Sequence, residues 1–253
     1  MKYIPVLFII VLSLSFPLHS TAYNLLEKRQ EKVISNLFDQ LVRHHINSPF
    51  AIERSVNALL KRYPEQIDIV LNVALTEYPQ EYRQIICGAL RAEPALASDV
   101  IAILLRSNIS TSTDIVSIAV NEEPGYATEI VKAAVSHYPD ELENIVRVAI
   151  LTEPVMANNV VNNTMQSYPE KLLDILVVAV IAFPDQVADI VRDTLRLSAD
   201  NREVISIAVS SSTGGKAREI ITSAIRSGMS KESATAAAIA GGAKPSDIVR
   251  NTP

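Results

Sequence analysis

The chain has 253 residues, with 23 Lys and Arg against 28 Asp and Glu, no tryptophan and one cysteine. Its net charge of −5, which becomes −6 once Lys2 leaves with the leader described below, argues against nucleic-acid binding, and the sequence shows no Lys/Arg stripe of the kind a phosphate backbone demands, so no nucleic acid is expected as a partner. Cys87 has no second cysteine to pair with, so an exported form is held by packing rather than by an internal disulfide, and Cys87 reads as a small apolar residue rather than a reactive thiol.

At the N-terminus Lys2 precedes an apolar run from Tyr3 to Leu14, which breaks at Pro17 and is followed by the small residues Ser20, Thr21 and Ala22. This is the layout of a signal peptide over residues 1–22, cleaved after Ala22. The run falls short of the roughly 20 apolar residues that span a bilayer, so no stable membrane span is expected after cleavage and the protein is expected in the periplasm or outside the cell. Residues 23–47 follow as a capping segment, amphipathic from 24 to 44.

From residue 48 to 198 the chain repeats with a period of 15. Ten slots start between 49 and 184, and each starts with proline except the one at Ile109. The positions 7 and 11 residues after each slot start are apolar throughout, from Val56 and Leu60 to Val191 and Leu195. Position 6 is aliphatic except at Ser55, and position 10 is most often alanine. Offsets of 6, 7, 10 and 11 form one stripe on an α-helix. A 15-residue β-solenoid is the rival, but strands alternate with a period of two and their turns use glycine or asparagine, whereas residues 48–198 contain only Gly88 and Gly125. Proline suits a first helical turn, and it pushes the residue before it out of the helix. About 12 helical residues and a turn of about 3 then fill each slot, and turns so short make successive helices antiparallel.

The predicted fold is therefore all-α, an α-solenoid of antiparallel short helices in which two 15-residue units make a 30-residue hairpin. The organisation resembles the α-solenoids, HEAT and tetratricopeptide arrays among them, over residues 24 to about 243. The resemblance is one of architecture, so it carries no functional residues across. Residues 199–253 keep weakened traces of the pattern, at Val204-Ile205 and Ile220-Ile221, but glycine pairs at 214–215 and 241–242 replace proline, so they read as divergent repeats and a tail.

No catalytic constellation or cofactor motif is visible. The histidines beyond the leader are His44, His45 and His137, and adjacent residues on a helix point apart, so no metal pair forms from them. The acids and amides five residues into many slots, Asp99 to Asp189, read either as a solvated row or as a carboxylate ladder for cations or a basic partner. Two groups are candidate binding residues. Asn158, Asn159, Asn162 and Asn163 share the polar side of one helix, where amides either lie solvated or meet carbohydrate or peptide backbone. Tyr63, Tyr78, Tyr138 and Tyr168 precede the slot prolines and serve either as staples at the turns or as exposed anchors for a partner. The Ser107–Thr113 run around Ile109 marks a looser or longer turn, the place to expect a hinge or an irregular binding feature. The expected function is that of a non-catalytic exported scaffold that binds another envelope or secreted protein. Binding of a cell-surface or matrix polysaccharide is the alternative, and a hydrolase with an unrecognised acidic site comes third.

Overall fold

The structure, a computed structural model, describes residues 18–213 and 215–248. Most of the predicted signal peptide lies outside the described residues, and its last five residues open the first helix, α1 (Leu18–His44). No strand occurs among the described residues, and no helix there is long and apolar enough to cross a membrane.

The repeat region holds α2 (Ala51–Arg62), α3 (Ile67–Glu77), α4 (Tyr82–Ala92), α5 (Ala97–Ser107), α6 (Ser112–Glu122) and α7 (Ala127–His137). It continues with α8 (Leu142–Thr152), α9 (Ala157–Ser167), α10 (Leu172–Ala182) and α11 (Val187–Leu195). Then come α12 (Asn201–Ser211), α13 (Ala217–Arg226), α14 (Lys231–Ala240) and the short α15 (Pro245–Ile248).

The proline junctions are tighter than the predicted turn of about three residues. From slot 64 on, each slot proline opens a 3-10 turn of three residues, such as Pro64–Gln66, that runs straight into an α-helix, so one residue per slot breaks the helix. That residue serves both helices. The Tyr63 N–H donates to the Leu59 carbonyl at 2.8 Å and closes α2, while its own carbonyl accepts from the Gln66 N–H at 3.0 Å and opens the next turn. Tyr78, Tyr138 and Tyr168 repeat the arrangement. Their φ lies near −130° and ψ between 58° and 74°, away from the helical region as expected before proline.

Helices of like parity pack side by side, α2 on α4 on α6 and α3 on α5 on α7, so even-numbered and odd-numbered helices form two layers around one core. All forty residues at offsets 6, 7, 10 and 11 of the ten slots are buried. Ser55, Thr164 and Thr194 occupy such positions because each hydroxyl donates to the carbonyl four residues back, at 2.7 to 2.8 Å, which removes the cost of an unpaired buried group. A fifth core row, three residues into each slot, escaped the sequence pattern. It mixes Ile52 and Leu142 with Ala97, Ala127 and Ser112, so only burial reveals it. Where α2 crosses α4 the backbones nearly touch, since a Cβ on Gly88 would lie 2.5 Å from the Glu53 carbonyl oxygen.

Beyond residue 198 the punctuation changes. Asp200 caps α12 by accepting from the Arg202 and Glu203 N–H groups, and Ser230 caps α14. Gly228 and Gly242, with φ of 102° and 96°, end α13 and α14 in the left-handed conformation that side chains disfavour.

Candidate interaction surface

Because the chain reverses at every slot, pre-proline residues alternate between two edges. One edge carries Tyr78, Asn108, Tyr138 and Tyr168, and the other Tyr63, Glu93, Glu123, Glu153 and Phe183. The four tyrosines therefore do not form one row, since Tyr63 stands a single slot from Tyr78 and falls on the opposite edge. All four are half-buried and pack against the core, the position of a staple that fixes how the chain enters the next helix. The Tyr78 ring meets Phe38 edge to face at 5.8 Å, and burial, with Asp39 and Glu77 nearby, raises its phenol pKa. The Tyr138 hydroxyl donates to Asn108 Oδ1 at 3.1 Å, and the Tyr63 hydroxyl accepts from Arg62 Nε at 3.1 Å.

The slot without proline is pinned rather than loose. Asn108 adopts the left-handed conformation with φ 52°, and the Thr111 side chain caps α6 by accepting from the Asp114 N–H at 3.2 Å. Asp114 accepts from the Tyr82 hydroxyl at 2.6 Å, from Ser110 at 3.0 Å and from Arg83. The Ser112 hydroxyl donates to Glu141. The predicted longer turn is present, and neighbouring helices hold both of its ends.

Asn158, Asn159 and Asn163 are exposed on α9 and Asn162 is half-buried. Asn163 turns back onto its own helix, donating to the Asn159 carbonyl at 2.9 Å. Among the described residues no group of three or more His, Cys, Asp or Glu is placed to hold a metal ion. His44 and His45 meet edge to face at 5.2 Å at the end of α1. Cys87 is half-buried, and burial, followed by Glu122 and Glu53, pushes its thiol up to about 12, so it stays protonated. Arg91 beside it bridges Glu53 on α2 and Glu122 on α6, tying three successive even helices together.

The outward positions of the slots differ in a way that the tyrosine and asparagine patterns do not show. Offsets 4, 8 and 12 lie on the side of each helix away from the four main core rows, although Cys87 and Leu173 also reach the core. On the even layer they hold Glu53, Asn57 and Lys61 on α2, Arg83, Cys87 and Arg91 on α4, and Thr113, Ser117 and Asn121 on α6. On α8 they hold Glu143, Arg147 and Leu151, but on α10 they are Leu173, Val177 and Ile181. Apart from Asp174, every residue of α10 is apolar. Leu151 is 54% exposed, Ile181 58%, and Val155, just beyond α8, 85%. Leu173 and Val177 are half-buried. A helix apolar on all sides is ordinarily covered on all sides.

No family model, characterised protein or solved structure matches this chain. Its own repeats are thus its internal reference, and against them α10 is the helix that departs.

Proposed function

We propose that the protein is a non-catalytic, exported scaffold whose solenoid surface binds another protein of the envelope or the extracellular space. One observation carries this. The core offsets hold the same kind of residue in slot after slot, while the outward offsets change from helix to helix, from ion-paired on α4 to amide on α9 to aliphatic on α10. A constant core with a varied exterior is what a stacked array uses to build an extended recognition surface. Export rests on the leader-like segment at residues 1–22. In-cell crosslinking followed by affinity capture and mass spectrometry tests it, with one or a few proteins expected to be enriched over a scrambled-surface control. A clean capture without any specific protein counts against it.

Polysaccharide binding is supported by a separate feature, the exposed amides of Asn158, Asn159 and Asn163 on an uncharged helix face. Replacing Asn158, Asn159, Asn162 and Asn163 by alanine should abolish retention on matrix glycans if that is the role. Unchanged retention, or none by the wild type, rejects it.

A further inference from the structure

We propose that the outer face of α10, together with Leu151 and Val155, is the docking site for one amphipathic helix of a partner protein, whose apolar stripe is flanked by Lys or Arg at both ends. The proposal rests on the scaffold reading above and names the site and the chemistry of its occupant.

Leu173, Val177 and Ile181 stand at i, i+4 and i+8, a straight row of about 12 Å at 1.5 Å per residue. Leu151 on the neighbouring even helix lies at the frame position of Ile181 and widens the row at one end, and Val155 extends it around the junction. Two turns of a docked helix, with anchors at i, i+3 or i+4, and i+7, match that length.

Size and charge select the occupant. With three side chains more than half exposed and two half-buried, the face amounts to a few hundred Å². A standard protein interface covers about 800 Å² on each partner. The face therefore suits one helix better than a second copy of this chain laid face to face. As to charge, the junctions at 121–126, 151–156 and 181–186, which flank the Leu151 and Ile181 end, hold Glu122, Glu123, Glu153 and Asp185 and no Lys or Arg. Arg91 engages Glu122, and Lys216 approaches Asp185 at 3.3 Å while leaving that side chain 95% exposed. At the Leu173 end the junctions hold Asp140, Glu141 and Glu170, with Glu143 at the frame position of Leu173 on α8, against Lys171, which pairs with Asp174 at 3.4 Å, so that end is acidic as well. Cationic turns at the two ends of the partner helix then lie over Glu153 and Asp185 and over Glu143 and Glu170.

The test uses the full chain and labelled synthetic 18-residue amphipathic helical peptides read by fluorescence anisotropy. One peptide carries Lys and Arg at both ends of its apolar stripe, one carries Glu in their place, and one is scrambled. The cationic peptide is expected to bind at least about tenfold tighter than the acidic one, with a preference that shrinks as salt rises. The variant Leu173→Thr/Val177→Ser/Ile181→Asn gives α10 the outer residues of α6 and should fold as the wild type does while losing at least about tenfold in affinity. Leu151→Asn, copying Asn121, should lose affinity as well, should the triple variant fail to fold. Equal binding by wild type and variants, or binding of no peptide by the wild type, overturns the proposal. So does sedimentation that shows the wild type, but not the variant, self-associating. If affinity capture retrieves the same protein with the wild type and the triple variant, the α10 site is wrong and the scaffold reading stands.

Discussion

Two residues on neighbouring helices show how closely the even layer is fitted. At Gly88 a methyl group would meet main chain rather than a side chain, with Glu53 carbon and oxygen atoms 2.5 to 3.1 Å from its Cβ, so relief requires α2 and α4 to part. Gly88→Ala is therefore expected to cost about 1–3 kcal/mol. Gly125→Ala, with nothing within 4 Å of its Cβ, should be neutral or stabilise by up to about 1 kcal/mol. Urea melts of the two variants give the comparison, and equal effects would mean that α2 and α4 are not in close contact. One residue earlier, the Cys87 thiol is raised from 9.0 to about 12 by burial first and by Glu122 and Glu53 after it. A group whose pKa rises on folding favours the folded state below its unfolded value and loses that contribution as pH climbs to its folded value. Wild type should lose stability between about pH 9 and pH 12 relative to Cys87→Ser. At pH 8 the thiolate population is on the order of a thousandfold smaller than for an ordinary thiol, so iodoacetamide should label the folded chain far more slowly than the unfolded one.

At the scale of the helix, the slot at Ile109 separates what pattern shows from what geometry decides. Restoring its missing proline looks like a repair. Yet Asn108 is held at φ 52°, and proline forces its predecessor toward extended backbone, so Ile109→Pro should destabilise by about 1–3 kcal/mol. Asn108→Ala should cost about 1–2 kcal/mol for the left-handed backbone and the lost Tyr138 hydrogen bond, and Asn108→Gly less, because it forfeits the hydrogen bond alone. Thermal melts that rank Ile109→Pro above wild type would contradict this. The helices, their order and four of the five core rows are legible in the sequence, because proline and Ile/Val pairs recur at fixed offsets. The fifth row is not, since Ala97 and Ser112 fill by smallness what Ile52 and Leu142 fill by bulk. The 3-10 form of the junction is hidden because the fixed φ of proline suits both helix types. The two edges are legible as well, since Glu93, Glu123 and Glu153 precede the prolines in one phase and Tyr78, Tyr138 and Tyr168 in the other, and Tyr63 belongs to the first phase rather than to the tyrosine row. Even the α10 face is present in Leu172–Ala182, where a run of apolar residues resembles a well-filled core helix until offsets 4, 8 and 12 are compared across slots.

Across the whole molecule, stability follows from stacking, because each helix contacts its neighbours along the array and little beyond them. The array is not uniform in what it buries. Helix α5 contributes Val100, Ile101, Ile103, Leu104 and Leu105, whereas α14 contributes Ala234, Ala237 and Ala238. At about 0.8 kcal/mol for each buried methylene, an alanine contributes several-fold less than an isoleucine, so α14 is held much more weakly. It compensates partly by close approach, since Gly241 lies against the Ser206 main chain. Its junctions use flexible glycine where the central slots use proline, which raises the entropy cost of ordering them. Local opening should therefore begin with α13 and α14 and leave the central helices closed. Native-state hydrogen exchange is expected to find amides of residues 217–240 exchanging at least about a hundredfold faster than those of α5 to α8, with a weaker dependence on urea than global unfolding shows. A chain ended after Ser212 should keep the melting transition of its central helices, because α13 to α15 contact only α11, α12 and one another among the helices in closest contact. Uniform protection from α5 to α14, together with loss of the central transition on truncation, would instead describe a single cooperative unit, in which the surface of α10 depended on every helix of the array.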